Sequence, residues 1–195
     1  MTVLVRLGAV ESRRFGFELV KPSSVVVTGG GSESATVSAL GSVAFSAAAT
    51  LSLNGVFSSG YDNYMVVCRV KSTTANSPGF RARLRSASTD ASGTDYTVQY
   101  VYASSTSVSG LRSTSQTSAE VGGVGSGESG NTIYIYGPNL SQPTAFRSVT
   151  IYTPANPTIY DEASTHSLST AYDGITLFVG SDAMTGRVAV YGMRG

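Results

Sequence analysis

The sequence predicts an all-β fold, a sandwich or barrel of short strands. Three observations carry this prediction. Apolar and polar residues alternate with a period of two in one segment after another, the mark of a strand with one buried face. Ser/Thr/Gly/Asn/Pro clusters separate these segments at short spacing. No stretch with helical periodicity and a capping signal runs longer than two turns.

The elements follow in order. Val43 and Phe45, then Leu51 and Leu53, alternate with small or polar residues. Met65–Val70 is apolar apart from Arg69, which predicts a strand largely buried on both faces. Phe80, Ala82 and Leu84 alternate with Arg81, Arg83 and Arg85. Tyr96, Val98, Tyr100 and Tyr102 share one strand face. Ile133 and Ile135 alternate with Tyr134 and Tyr136, and Phe146–Tyr152 offers Val149 and Ile151. Ile175–Val179 and Arg187–Tyr191 finish the chain. β-branched and aromatic residues fill these segments, as strands prefer. Ser72–Gly79, Ser86–Gly93, Ser104–Gly110, Gly122–Gly130 and Pro154–Pro157 have turn and loop compositions. About eight strands result, with no repeat of fixed period.

Residues 1–33 differ from the rest. They hold Arg6, Arg13, Arg14 and Lys21, then Pro22 and a Val25–Val27 run, and close at Gly29-Gly30-Gly31-Ser32. That glycine run reads as a flexible junction. The expected organisation is an anchoring arm at 1–33 and a β-domain at 34–195; the alternative for 1–33 is an ordinary first hairpin. In the arm reading, Arg6, Arg13, Arg14 and Lys21 are the anchoring residues.

Charged residues are 13% of the chain, against roughly 25% in an average globular protein. Ser, Thr and Gly make up the difference, so the surface is neutral and hydroxyl-rich. A net charge of +1 gives no electrostatic basis for a nucleic-acid partner. Lysine occurs at Lys21 and Lys71 alone. Sheet edges are often blunted by lysine, so its scarcity suggests edges covered by neighbouring subunits, or a plain composition bias. Cys68 is the single cysteine, which excludes an intrachain disulfide and reads as a buried structural thiol. The start of the chain lacks the pattern of a secretory signal, and no run of about 20 apolar residues could span a membrane. The expectation is synthesis in a cytoplasm and no membrane partner.

No catalytic chemistry is expected. His166 is the single histidine, and Gly125-Ser126-Gly127 sits in a glycine loop, not at a strand-to-helix turn. One Cys and one His cannot build a zinc site. Asp90–Asp95 and Asp161-Glu162 lack calcium-loop spacing and read as solvated loop carboxylates. The glycine runs lack the lysine and helix of a phosphate loop. No metal and no cofactor is expected.

The sharpest polar feature is the row Arg81, Arg83, Arg85, spaced by about 7 Å on one strand face. Like charges at that spacing need partners. Asp90, Asp95 and Glu120 are candidates, as are a neighbouring subunit and an anionic glycan; a solvated face is the alternative. With Tyr96 and Tyr100, these arginines are the candidate subunit-contact residues.

Three stretches carry a family resemblance: LNGVFSSGYDNYMVV at Leu53–Val67, FRARLRSASTDASGTDYTVQYV at Phe80–Val101, and YDGITLFVGSDAMTGRVAVYGMR at Tyr172–Arg194. A Phe before a YDNY turn, an Arg-rich alternating strand and a terminal strand ending in Tyr-Gly resemble virion proteins of tailed bacteriophages. The resemblance implies a jelly-roll β-sandwich on the particle surface, serving as a capsid decoration protein, head fibre or tail-associated module, often as a homotrimer. It implies partners among the major capsid protein or other virion proteins, and location in a virion assembled in the host cytoplasm. The expected function is a non-enzymatic decoration or cement protein on the outside of the head. The alternative is a tail or fibre module that binds a surface glycan of the host.

Overall fold

The computed structural model describes residues 16–73, 79–152, 158–180 and 182–194, with Tyr152 as backbone alone. These residues form 14 strands and no helix. The strands are β1 (Gly16–Val20), β2 (Ser24–Val37), β3 (Val43–Asn54), β4 (Asn63–Ser72), β5 (Gly79–Ser86), β6 (Thr89–Asp90) and β7 (Tyr96–Ser104). They continue as β8 (Ser107–Gln116), β9 (Ala119–Gly123), β10 (Ser129–Tyr136), β11 (Thr144–Tyr152), β12 (Thr158–His166), β13 (Gly174–Val179) and β14 (Met184–Arg194). The all-β prediction holds, and the strand pairings are antiparallel.

The sheet curls because two long strands each serve two neighbours along one edge. β4 pairs along β14 from Met184 to Met193, while the opposite edge of β14 is shared by β3 and β1. One edge of β3 is likewise shared by β14 and β13, with β2 along the other. One arm of the sheet therefore runs β2–β3–β13–β5, with β6 and β9 sharing the outer edge of β5. The other runs β14–β4–β10–β11–β12–β7–β8. The arms face one another, and β9 lies against β11 and β12 of the opposite arm.

The core fills the space between them. β3, β5 and β13 contribute Leu51, Leu53, Phe80, Ala82, Leu84, Ile175 and Leu177. β4, β10 and β14 contribute Tyr64, Val66, Ile133, Ile135, Val188 and Val190. Burying a side chain of this size stabilises by about 1.5–3 kcal/mol, so this cluster supplies the main drive to fold. Cys68 is buried in it, and burial pushes its thiol up.

The described part of the N-terminal segment is built into the sheet. Residues 16–20 and 24–33 are strand residues of the sheet, and Val20, Val25 and Val27 pack on the core. Gly29-Gly30-Gly31 is not a flexible junction but a bulge inside β2, where the register with β3 shifts between Thr28 and Ser34. A bulge absorbs extra residues without ending the strand. The expected boundary at 33–34 falls inside β2. Lys21 is exposed between β1 and β2, and Arg6, Arg13 and Arg14 lie outside the described residues.

One strand reading is corrected. Met65–Val70 is buried on one face alone, since Val67 and Arg69 are exposed. The hydroxyl of Tyr64 lies under the Phe57 to Tyr61 turn, donates to the Ser58 carbonyl at 2.7 Å and accepts from Ser58 N–H at 2.6 Å. Gly192 lies beneath the Tyr61 ring, where a Cβ would collide with it.

Candidate functional site

In β11 and β12 the usual polarity of a sheet is reversed. Ser148 and Thr150 of β11 point inward and are buried, as do Glu162 and Ser164 of β12. Val149 and Ile151 point outward, and so does Ile159. Because side chains alternate along a strand, a polar inner face imposes an apolar outer one on the same segment. The reversal builds two features at once, a polar groove inside and an apolar face outside.

The groove is half open to solvent, holds about 130 Å³ and is lined by Gly79, Gly122, Gly123, Tyr100, Tyr160, Glu120 and Glu162. β9 forms one wall and β12 with β7 the other. Three contacts set the spacing. Ser164 donates to the Glu120 carbonyl at 3.1 Å, tying β9 to β12. Gly122, at φ 143°, presses on the opposite arm so closely that a Cβ there would collide with Asn131 Oδ1 and Thr150 Oγ1. Gly79 leaves the space that the Glu120 carboxylate fills. Glycine alone meets both demands at Gly122.

The two acids differ in surroundings. Glu162 is 2% exposed, and Ser148 donates to its Oε2 at 3.2 Å. Burial, then the charge of Glu120, push the Glu162 carboxyl from its ordinary 4.5 up to about 8. Burial also raises Glu120, against the opposing field of Arg81, its cross-strand neighbour on β5. Tyr102 stacks on Tyr160 at 5.6 Å, and Tyr100 meets Tyr160 edge-on at 6.3 Å. The aromatic wall therefore continues past the two acids.

The arginine row has three separate fates. Arg85 is buried within the chain. It forms an ion pair with Asp90 and donates to Asn54 Oδ1 at 3.0 Å, Ser52 Oγ at 3.0 Å and Thr176 Oγ1 at 2.7 Å. Tyr96 is also buried; it donates to the Ala91 carbonyl and accepts from Leu84 N–H. Both spend their polar groups inside the molecule. Arg83 donates to the Thr117 carbonyl at 3.0 Å and sits over the Phe178 ring at 4.7 Å. Arg81 is exposed, and Tyr100 is part-exposed in the groove wall.

Sequence reasoning missed the groove. Asp161-Glu162 reads as loop carboxylates, yet both are strand residues. The signal that could have found them is the alternation of Tyr160, Glu162, Ser164 and His166 on one face. His166 is buried between the rings of Tyr96 and Tyr172, at 4.4 and 5.3 Å, and burial lowers its pKa.

On the outer face, Ile151, Ile159, Ala103 and Val108 form one cross-strand row through β11, β12, β7 and β8. Ile151 is 56% exposed, Ile159 55% and Val108 72%. The next row holds Val67, Thr132, Val149, Asp161 and Val101. Two charge pairs sit on this face, Arg147 with Asp161 at 2.7 Å and Arg69 with Glu128 at 3.3 Å. No protein-family model matches the chain, and no curated protein matches it.

Proposed function

We propose that this chain is a non-enzymatic structural protein of a bacteriophage particle, a decoration or cement protein on the outer surface of the head. In this reading it is a jelly-roll-like β-sandwich that works as a homotrimer docked on the major capsid protein or other virion proteins. The observation that carries the reading is the outer apolar face of β4, β10, β11, β12, β7 and β8. Contiguous exposed apolar rows of this kind mark interaction surfaces. At the centre of the face Arg147 and Asp161 already neutralise one another, so covering this pair would strand neither charge. Closed symmetric assembly would also cover the edge strand β8. The resemblance of Leu53–Val67, Phe80–Val101 and Tyr172–Arg194 to phage virion proteins supports the setting.

The test is particle binding. Purified protein is mixed with particles stripped of their outer proteins, and bound copies are counted by imaging. Saturable binding in many copies per head supports the reading. Binding confined to the tail tip would favour the second reading, a carbohydrate-binding tail or fibre module. One observation favours that second reading: the acidic groove walled by Tyr100 and Tyr160.

A further inference from the structure

We propose that the free edge of β8 pairs with β8 of a second copy, antiparallel about a twofold axis at Gly110. The contact is separate from the groove and requires no particle to form. A twofold contact is additional to a threefold one and links one assembly to the next.

Four observations lead there. First, β8 is an edge. It pairs with β7 along one side, and among the described residues no strand pairs along the other. The two-residue turn at Ser105-Thr106 makes Ser104 and Ser107 a hydrogen-bonded pair. The pattern alternates from there, so Ser107, Ser109, Leu111 and Ser113 bond to β7. The N–H and C=O groups of Val108, Gly110 and Arg112 point to the open side. Second, this edge is undefended. All of β8 but Ser113 is exposed, and it holds no Pro, no Lys and the single charge of Arg112. Natural edges are blunted by such residues or by bulges. β2, the long edge strand of the other arm, has its bulge at Gly29–Gly31, whereas β8 keeps one register with β7 from Ser107 to Ser113. Third, Gly110 is the midpoint of that regular stretch, and nothing in its own chain requires a glycine there. Its φ is not in the left-handed region, and a Cβ would meet the Tyr100 carbonyl oxygen at 3.4 Å and Val101 Cγ2 at 3.9 Å, both ordinary contacts. A glycine inside a strand weakens it and often marks the close approach of another backbone. Fourth, an axis at Gly110 sets Val108, which is 72% exposed, opposite the partner's Arg112. The aliphatic stem of that arginine then covers the valine.

This arrangement discriminates among occupants and registers. An axis at Arg112 would set two arginines face to face, which like charges disfavour. The axis at Gly110 keeps them about 13 Å apart along the strands. β2 of the second copy offers no unbroken ladder. Pairing Ser107–Ser113 with itself satisfies the open backbone groups of Val108, Gly110 and Arg112 on both copies at once. On the outer face the row Val149, Asp161, Val101, Gly110 then runs on into the same row of the second copy. Seven residues a side fall short of the roughly 20–30 of a stable interface. The contact is therefore too small to hold two free copies together at micromolar concentration, and it forms where copies are crowded.

The experiment is disulfide trapping in the full chain at high protein concentration, with Ser107→Cys and Ser113→Cys made as separate variants. In the proposed register Ser107 lies opposite the partner's Ser113, with Cα atoms about 4.5 Å apart, inside the range that a disulfide bridges. Each residue lies about 20 Å from its own counterpart, far outside that range. Cys68 is buried and takes no part. Mild oxidation of an equal mixture should give the mixed dimer about tenfold or more faster than either variant alone gives its own dimer. Gly110→Pro, added to both variants, should slow the mixed dimer by about tenfold, because it removes a donor on the open side and leaves the ladder to β7 intact. Thermal unfolding checks that each variant folds. Dimers forming as fast in either variant alone as in the mixture, or no dimer in the mixture, would overturn the inference. So would a mixed dimer indifferent to Gly110→Pro. The comparison of the mixture with the separate variants needs no proline variant to fold.

Discussion

Ser164 and Glu120 are joined across the two arms of the sheet by a hydrogen bond of 3.1 Å from the serine hydroxyl to the glutamate carbonyl. The bond holds β9 over β12 and so sets the Glu120 side chain over the same groove as Glu162. The consequence is a pH dependence of stability. Glu162 binds its proton more tightly folded than unfolded, so its contribution is full below about pH 4.5 and is lost as pH rises to about 8. Glu120, raised by the same burial, acts in the same direction. Asp161 adds to the repulsion at Glu162, and Arg81 relieves Glu120 alone. His166, lowered by burial, works in the opposite sense below about pH 6.5. The Glu162 share is therefore read as a difference. Glu162→Gln should flatten the fall in Tm between pH 5 and 8 and should be the more stable protein at pH 9, by calorimetry.

Arg85 should be the costliest arginine to remove. Arg85→Ala leaves Asp90 without its ion pair and Asn54, Ser52 and Thr176 without their donor. Breaking a buried pair of this kind costs about 3–5 kcal/mol. Arg81→Ala, at an exposed position, should stay within about 0.5 kcal/mol. Urea denaturation of the two variants measures the contrast.

Gly122 should tolerate no side chain. Gly122→Ala places a methyl against Asn131 and Thr150 at a φ that L-residues rarely adopt. Backbone strain of this sort costs about 1–3 kcal/mol, and the clash adds to it. Gly130, where a Cβ would meet nothing within 4 Å, is the matched control. Thermal unfolding should separate the two alanine variants clearly.

How much of this was legible in the sequence differs from strand to strand. β5 was readable because Phe80, Ala82 and Leu84 alternate cleanly with arginines, and β10 because Ile133 and Ile135 alternate with tyrosines. β12 was not, since its buried face is Thr158, Tyr160, Glu162, Ser164 and His166. Period-two alternation marks a strand only if the buried residues are the apolar ones. The same reversal hid the direction of Val149 and Ile151, which look like core and face outward. β8 and β9 were hidden by Ser and Gly, which tertiary pairing overrides. Gly29–Gly31 reads as a hinge by composition, but the pairing of β2 with β3 on either side keeps it within one strand. The groove depends on β9 crossing to the opposite arm, a long-range contact that no local pattern announces.

The central claim is that the outer rows of Ile151, Ile159, Val149, Val101 and Val108 are covered by another copy of the chain. Analytical ultracentrifugation of the wild type and of an Ile151→Lys, Ile159→Lys double variant tests it most directly. Both substitutions fall on exposed outward positions, so folding should survive and circular dichroism should stay β-dominated. The account predicts a wild-type trimer at micromolar concentration that falls to monomer in the double variant. A wild type that is monomeric throughout that range, or a trimer indifferent to both lysines, would contradict it.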